Sequence, residues 1–287
     1  MNKRKLLPYH TESNSWESAV RWLREESGLN QLVKDCYYED PLLEAAERYQ
    51  ESEEWQAVRS LLKARSGKVL DVGAGRGIAS YALAREGFDV TALEPDPSLL
   101  VGSEAIKKLA KDSTLDIKVS TGYLEKLPFE DDIFDVIFAR AALHHTAVLK
   151  AACGEVSRVL KPGGVFIAIR EHVISRQEDL AHFFDTHPLH HKYGGEQAFL
   201  LSDYKNAIKN AGFTKLEVIS PWASPLNYAP RSLKEVQESI ATRFGPLSGY
   251  LEPVFRVPGL WPVTRRLLAL IDQRPGRLYS FIAFAPM

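Results

Sequence analysis

The spacing of apolar residues changes twice along the chain and divides the sequence into three parts. In residues 1–66, large apolar side chains recur every three or four positions, which is the spacing of one helix face. The clearest runs are Trp16, Val20 and Leu23, and later Trp55, Val58 and Leu62. We therefore predict a helical amino-terminal cap over residues 1–66.

Residues 67–220 alternate short apolar runs with helical patterns. The predicted strands are residues 68–71, 89–93, 116–120, 134–139 and 165–169, and the predicted helices are residues 78–86, a helix opened by Asp96-Pro97, and residues 147–160. This alternation predicts an α/β fold with a parallel sheet and helices on both of its faces. Because ligands of such sheets bind at the carboxyl ends of the strands, we expect the ligand-binding and catalytic residues there.

Composition excludes several classes of protein. With 36 basic and 37 acidic residues, the 287-residue chain has a net charge of −1 and lacks the field that attracts nucleic acid or an anionic membrane. Its two cysteines cannot form a disulfide framework, and no apolar run approaches the ~20 residues of a membrane span. Residues 1–8 are basic and then polar, unlike a signal peptide. We expect a soluble cytoplasmic protein without a nucleic-acid partner or stable membrane insertion.

The densest chemical signal follows the first predicted strand, where Asp71 precedes Gly73, Gly75 and Gly77. Glycines let the backbone pass close to a ligand, and the amino terminus of the next helix offers free N–H groups. The following strand ends at Glu94, where a carboxylate can accept hydrogen bonds from both hydroxyls of a ribose. Together these residues predict a nucleoside-containing cofactor, whereas the glycines alone are also compatible with a structural tight turn.

The glycine spacing indicates which nucleoside is bound. A dinucleotide turn has the pattern G-x-G-x-x-G, but this turn reads G-A-G-R-G-I-A and follows an aspartate. In this form it resembles the first motif of class I S-adenosylmethionine-dependent methyltransferases. The resemblance continues in order through residues 122–129 (GYLEKLPF), residues 134–137 (FDVI), Leu143-His144-His145 and residues 160–164 (LKPGG). These stretches are similar to the small-molecule, "type 11" branch of that family.

The resemblance implies a Rossmann-like sheet of seven mostly parallel strands, the last of which runs antiparallel, and S-adenosyl-L-methionine as the cofactor. Asp71 would orient the glycine turn, whose three glycines would pass beside the methionine portion of the cofactor. The other cofactor contacts that it implies are Glu94 at the ribose and the backbone near Arg140 and Ala141 at the methionine ammonium group, and we count Pro95 beside Glu94 with the cofactor site.

One position departs from the pattern of this family. An acidic residue often follows the glycine of the segment after the third strand and accepts from the adenine amino group, but Tyr123 and then Leu124 stand here. We count both residues with the cofactor site. Tyr123 could stack on the adenine, a backbone group could replace the acidic side chain, or Tyr123 is a packed aromatic residue of the loop.

Methyl transfer from a sulfonium is an in-line displacement that depends mainly on alignment of donor and acceptor and on exclusion of water. A base is needed only when the acceptor must lose a proton. The candidate catalytic residues are His144 and His145 after the fourth predicted strand, and Glu171 and His172 after the fifth. The alternative is that these side chains pack or cap the loops at this edge.

Residues 172–201 carry a second group of polar side chains: His182, Asp185, His187, His190 and His191. Imidazoles and carboxylates are common metal ligands, but this spacing matches no known ligand pattern. We therefore expect a polar lid segment without a metal.

Two insertions interrupt the predicted core of residues 67–220 and its final strand in residues 278–287. The first is residues 172–201, and the second, residues 221–277, is predicted to be helical. The second is rich in aromatic side chains, namely Trp222, Tyr228, Phe244, Tyr250, Phe255 and Trp261. Long connections at a ligand edge are usually functional, so we expect lids that enclose an aromatic cavity. The alternative for residues 221–277 is a dimer surface or a membrane-lying patch, and the sequence leaves the oligomeric state open.

These features predict a methyltransferase that acts on a small, partly apolar acceptor at oxygen or nitrogen. Residues 138–142 read FARAA instead of an Asn/Asp-Pro-Pro-aromatic segment, which disfavours methylation of base or side-chain amides. Two alternatives from other classes are a nicotinamide-dependent oxidoreductase and a non-catalytic module that binds S-adenosylmethionine.

Overall fold

The computed structural model describes residues 15–255, 257 and 259–287, so the first 14 residues of the predicted cap lie outside the described part. The cap contains four helices, α1 (Trp16–Glu25), α2 (Asn30–Asp35), α3 (Leu42–Glu51) and α4 (Glu53–Leu62). Serine side chains begin two of them, because Ser15 accepts from the backbone N–H of Ser18 and Ser52 accepts from that of Trp55. The apolar face of α4 is buried, as its spacing predicted.

The centre of the sheet is built by β1 (Lys68–Val72), α5 (Ile78–Arg85), β2 (Asp89–Leu93), α6 (Ser103–Ser113), β3 (Ile117–Ser120), β4 (Phe134–Arg140), α7 (Leu149–Val159) and β5 (Leu160–Ile174). These elements lie where the sequence predicted them, except that β5 is longer and α6 begins later. The prediction that Asp96-Pro97 opens α6 is wrong. The Asp96 side chain accepts from the N–H of Ser98, and its carbonyl accepts from the N–H of Ser103, so residues 96–102 form a turn before the helix.

The rest of the chain forms α8 (Asp179–Thr186), α9 (His190–Tyr193), β6 (Phe199–Leu200), α10 (Leu201–Asn210), β7 (Lys215–Ile219), α11 (Pro225–Tyr228), α12 (Leu233–Ala241), α13 (Ser248–Phe255), α14 (Leu260–Ile271) and β8 (Arg277–Phe284). A helix that crosses a membrane must be both long and apolar, and none within the described ranges meets both conditions. Helix α11 lies against α4 and β5, whereas α14 exposes Leu267, Leu270 and Ile271 to solvent.

The strands form one sheet in the order β3-β2-β1-β4-β5-β8-β7, and the two-residue strand β6 pairs with β5. Strand β8 runs antiparallel to β5 and β7, whereas the other pairs are parallel. The predicted sheet of seven mostly parallel strands with an antiparallel last strand is confirmed, and β6 is an addition to it. Because β1 lies between β2 and β4, the strand order reverses there, and ligands of such sheets bind in the crevice at that point.

The aromatic residues of the second insertion do not line one cavity. Four of them pack in a buried cluster of their own: Trp222, Tyr228, Phe255 and Trp261. The other two, Phe244 and Tyr250, are 47% and 78% exposed. The expectation of a single aromatic cavity is therefore wrong, because these rings reduce their exposed apolar surface by packing on one another.

A buried ion-pair network joins the cap to the carboxyl edge of the sheet. Glu54 in α4 accepts from Arg140 Nε at 2.6 Å, at the end of β4, and from Arg170 Nη1 at 3.2 Å, within β5. Burial opposes ionisation of this carboxyl, but the two arginines hold the pKa of Glu54 below its ordinary value. The guanidinium of Arg140 also lies 5.3 Å from the centre of the Tyr49 ring. The network therefore fixes α4 over the ends of two central strands.

We expect Glu54→Gln to lower the free energy of unfolding by about 3–5 kcal/mol, because two largely buried guanidinium groups lose their counter-charge. Glu53→Gln is the matched control, since this neighbouring side chain is exposed and its replacement should change stability by less than about 0.5 kcal/mol. Urea unfolding followed by circular dichroism measures both. Equal effects of the two substitutions would show that the network does not hold the cap on the sheet.

Candidate active site at the carboxyl edge of the sheet

The turn between β1 and α5 needs glycine at three positions. Gly73, Gly75 and Gly77 have φ angles of +64°, +56° and +84°, in the left-handed region that residues with a side chain disfavour. A Cβ on Gly73 would also lie 2.7 Å from the Cβ of Ala142, so this turn packs directly against the segment after β4. Gly77 then forms the amino-terminal cap position of α5. The glycine turn and the turn after β4 are thus adjoining walls of one crevice.

Asp71 and Arg76 attach the glycine turn to its surroundings. The buried Asp71 carboxylate accepts from the Ser80 hydroxyl at 2.5 Å, which joins the end of β1 to α5. Burial raises the pKa of Asp71 to about 7, although the Ser80 hydrogen bond opposes this. Arg76 extends to the cap and donates to the carbonyls of Tyr37 and Glu39 at 3.0 and 2.9 Å. The cap therefore contacts the crevice at the glycine turn itself.

Glu94 follows β2 and is buried beside the glycine turn. One carboxylate oxygen accepts from the N–H of Gly75 at 2.7 Å, and the other accepts from the N–H of Asp96 at 2.9 Å. A carboxylate has about four acceptor positions, so two remain for the hydroxyls of a ribose. Burial raises the pKa of Glu94 to about 7, although the two N–H groups favour the ionised form. Pro95 beside it is half-buried.

Tyr123 and Leu124 follow β3 and differ in their exposure. Tyr123 is 59% exposed, so the interpretation as a packed aromatic residue of the loop is wrong. Leu124 is buried in the hydrophobic core, which keeps its side chain away from a ligand. The ring of Tyr123 is therefore available for stacking, and Leu124 has only its backbone to offer.

Arg140 is the last residue of β4, and Ala141 follows it. The Arg140 side chain is engaged with Glu54 in the cap. Ala141 has a φ of +51°, and its N–H donates to the carbonyl of Ile169 in β5 at 2.8 Å. This left-handed residue turns the chain out of the strand and toward Ala142, which contacts the glycine turn.

Glu171 organises the turn after β4. The pairing of β5 with β8 is interrupted by a bulge between Ala168 and Glu171, where Arg170 has a φ of +61°. The buried Glu171 carboxylate accepts from the N–H of Leu143 at 3.1 Å, from the N–H of His144 at 2.9 Å and from Nδ1 of the His144 ring at 2.7 Å. A charged acceptor thus satisfies backbone donors that a buried turn would otherwise leave unpaired.

His144 is buried between two carboxylates. Although burial opposes its charge, the hydrogen bond and charge of Glu171, together with Glu196, raise the pKa of His144 to about 9. Its Nδ1 proton is held by Glu171, and its Nε2 lies 3.7 Å from Glu196 Oε2. This enclosed position disfavours direct proton transfer between His144 and an acceptor.

His145 and His172 lie beside His144 but differ in access to solvent. His145 is the exposed member of the group, and its Nδ1 donates to the carbonyl of Gly195 at 3.2 Å. The protein around its ring and the charge of His144 lower the pKa of His145. His172 donates from Nδ1 to the carbonyl of Gly276 at 2.9 Å, and burial with the charge of His144 lowers its pKa to about 3. Of the candidate catalytic residues, His145 is the accessible one.

Sequence reasoning missed the role of Glu196. This residue is 3% exposed and approaches His187 Nε2 at 3.8 Å as well as His144. The other histidines of the first insertion lie elsewhere, since His190 stacks on Phe184 and His182 and His191 are exposed. A signal in the sequence was the polar run at residues 191–196. This run does not identify His144 as a partner of Glu196, because only the fold brings the two residues together.

Comparison with known proteins identifies the domain. Residues 70–168 match the sequence profile of a family described as "Methyltransferase domain". The chain is 37% identical over 103 residues to sarcosine/dimethylglycine N-methyltransferase of Aphanothece halophytica, covering 35% of this chain and 36% of that protein. It is 25% identical over 177 residues to the uncharacterized methyltransferase YodH of Bacillus subtilis (strain 168), covering 60% of this chain and 70% of that protein.

A solved structure shows the same fold. Phosphoethanolamine N-methyltransferase 2 of Haemonchus contortus, in complex with S-adenosyl-L-methionine, superposes with a TM-score of 0.53 at 19% identity, covering 92% of this chain and 61% of that chain. The match with the sarcosine/dimethylglycine enzyme spans about a third of its length, so these comparisons concern the cofactor-binding domain. This chain therefore carries a class I S-adenosylmethionine-dependent methyltransferase domain, and the predicted enzyme class and cofactor are confirmed.

We expect the affinity for S-adenosylhomocysteine to fall as the pH drops below about 7, because protons then compete with the ribose hydroxyls for the Glu94 carboxylate. Above that pH the carboxylate is ionised and accepts both hydroxyls, so binding is tightest there. Glu94→Gln cannot ionise and should bind about 2–3 kcal/mol more weakly at pH 8, with a shallower pH dependence. Titration calorimetry between pH 6 and pH 8 measures both proteins. An unchanged affinity in a folded Glu94→Gln variant would contradict the ribose contact.

Proposed function

We propose that this protein transfers the methyl group of S-adenosylmethionine to an oxygen or nitrogen of a small-molecule acceptor. The observation that carries the proposal is that two segments outside the core strands reach the crevice. Arg76 in the glycine turn pairs with Asp40 of the cap at 2.6 Å, and His145 bonds to Gly195 of the first insertion at 3.2 Å. An acceptor must fit between these segments, which favours a small molecule over a nucleic acid or a folded protein.

Charge and similar proteins support the same acceptor class. A net charge of −1 gives no general attraction for nucleic acid. Two of the similar proteins are named for sarcosine, dimethylglycine and phosphoethanolamine, which are all small molecules. From these names we infer only that the acceptor of this chain is a small molecule, and we do not infer which small molecule it is.

Catalysis in such a site relies mostly on alignment, which can supply roughly 7–11 kcal/mol of the barrier. We place His145 on the acceptor side, because it is exposed and the carbonyl of Gly195 orients its ring. Glu171 and His144 are positioning residues, since their hydrogen bonds hold the turn after β4 against the glycine turn. His172 supports the His144 ring, with the ring centroids 4.6 Å apart.

Only the first part of the second insertion is proposed as a lid. Arg170 donates to the carbonyl of Ala229, directly after α11, at 2.8 Å, which holds this part at the edge of the sheet. Helix α14 packs on this part through the aromatic cluster but exposes Leu267, Leu270 and Ile271 to solvent. Of residues 221–277, which the sequence predicted to be a lid, we therefore propose only the segment around α11 as a lid.

Incubation of the full chain with isotope-labelled S-adenosylmethionine and a metabolite extract should yield a labelled small molecule, which mass spectrometry identifies. Label found only in nucleic acid or protein would contradict the proposed acceptor class. As a control on the cofactor, S-adenosylhomocysteine at about 100 times its Kd stabilises the folded state by about 2.7 kcal/mol and should raise the Tm, whereas NADH should not. An equal shift with NADH would instead favour the oxidoreductase.

We expect Tyr123→Ala to weaken S-adenosylhomocysteine binding by about 1–3 kcal/mol, the contribution of an aromatic ring stacked on a base. Tyr123→Phe is the matched control and should bind like the parent protein, because it keeps the ring. The side chain is 59% exposed, so neither change removes core packing. Equal affinity of all three proteins in calorimetry would exclude stacking and leave adenine recognition to backbone groups.

A further inference from the structure

Five polar side chains from three parts of the chain converge beside the turn after β4. They are His144 and His145 in that turn, His172 in β5, and His187 and Glu196 in the first insertion. The ring centroids of His144 and His145 are 4.2 Å apart. Residue spacing indicated only a polar lid here, because the fold and not the sequence brings these groups together.

Three of the histidines have one ring nitrogen bonded to an oxygen. The pairs are His144 Nδ1 with Glu171 at 2.7 Å, His145 Nδ1 with the carbonyl of Gly195 at 3.2 Å, and His172 Nδ1 with the carbonyl of Gly276 at 2.9 Å. An oxygen acceptor requires the proton on Nδ1, so each neutral ring carries its free lone pair on Nε2. In most metal-bound histidines, the ring nitrogen that does not bind the metal donates its proton to a carboxylate or a carbonyl.

Glu196 contributes a carboxylate that lacks a full set of partners. Its Oε1 accepts from the Tyr193 hydroxyl at 2.7 Å, but its Oε2 is buried without a hydrogen-bond partner. Among the described residues, no Lys or Arg pairs with Glu196 or with the buried Glu171. The His144 ring lies between the two carboxylates, so a proton or a metal ion on its Nε2 supplies the positive charge there.

The distances around Glu196 suit a coordinated ion better than a direct hydrogen bond. His144 Nε2 and Glu196 Oε2 are 3.7 Å apart, beyond the roughly 3.2 Å limit of a normal N–H···O bond. Two ligands bound at about 2.1 Å to a tetrahedral ion lie about 3.4 Å apart. Ligand atoms of His144, His145 and Glu196 all lie within 4.8 Å of one another, so a small shift would close them around one ion.

A second set formed by His172, His187 and Glu196 meets the same distance limit but fits less well. The N–H of Leu189 donates to His187 Nδ1 at 3.4 Å, which places the His187 proton on Nε2. That Nε2 lies 3.8 Å from Glu196 Oε1, and a ring protonated at this nitrogen has no lone pair there for a metal ion.

We propose that His144, His145 and Glu196 bind one divalent transition-metal ion beside the turn after β4. Two imidazoles and one carboxylate suit Zn²⁺ or Fe²⁺ and leave coordination positions open. Because His145 is exposed, an oxygen or nitrogen of the acceptor can complete the coordination. This last consequence rests on the proposed function, whereas ion binding itself does not.

Co²⁺ is the probe, because its visible absorption reports a tetrahedral site. The full chain, stripped with a chelator and free of cofactor and acceptor, should bind one Co²⁺ per molecule and exchange it for Zn²⁺. His145→Ala and Glu196→Gln should each weaken Co²⁺ binding by about 100-fold. The matched controls are His182→Ala, an exposed histidine outside the cluster, and His187→Ala from the second set, and both should bind like the parent.

Absence of Co²⁺ binding in the parent protein would overturn the proposal, as would binding that survives in both His145→Ala and Glu196→Gln. Loss of binding in His182→Ala, or in His187→Ala but not in His145→Ala, would overturn it too. Circular dichroism checks the fold, and if Glu196→Gln fails to fold, the exposed His145 still provides the test. Calorimetry with S-adenosylhomocysteine on the parent protein tests the methyltransferase assignment separately.

Discussion

The carboxylate of Glu54, buried between Arg140 and Arg170, links the amino-terminal cap to the sheet by charge, beside the apolar contacts that Trp55 and Val58 make with the same core. The arginines lie in the neighbouring strands β4 and β5, whereas Glu54 belongs to the amino-terminal cap. Because a buried guanidinium without a counter-charge is unfavourable, both arginines depend on α4 lying over the strand ends. The cap is thereby fixed above the carboxyl edge, and Arg76 attaches it a second time at the glycine turn.

A second buried carboxylate shapes the other side of the same edge. Ala141 and Arg170 both have positive φ angles, and they lie at neighbouring positions where β4 ends and β5 bulges. Such conformations persist only where the surroundings hold them. Glu171 provides that support, because it accepts from the backbone of Leu143 and His144 and from the His144 ring. The same contacts hold the turn that carries His144 and His145, and Ala142 at the start of this turn packs against the glycine turn.

One half of the crevice is formed by residues within the match to the methyltransferase family, and the other half is formed by segments outside that match. The methyltransferase profile covers residues 70–168, which run from β1 into β5 and include the glycine turn, Glu94 and Tyr123. On the proposed acceptor side, Gly195 and Glu196 come from the first insertion, and the cap adds Asp40. A shared fold does not determine the reaction partner, so we infer that these segments select the acceptor.

The sequence by itself determined the strands, the glycine turn and the position of Glu94, because each depends on neighbours close along the chain. Apolar spacing sets strands and helices, and the carboxyl ends of parallel strands meet at one edge whatever the loops do. The tertiary structure alone decided the pairing of Glu54 with Arg140, the approach of Glu196 to His144 and the burial of four aromatic rings in their own cluster. Glu54 and Arg140 are 86 residues apart in sequence, and no spacing rule relates them. Such contacts form only when separate elements pack, since burial and counter-charge are properties of the assembled core.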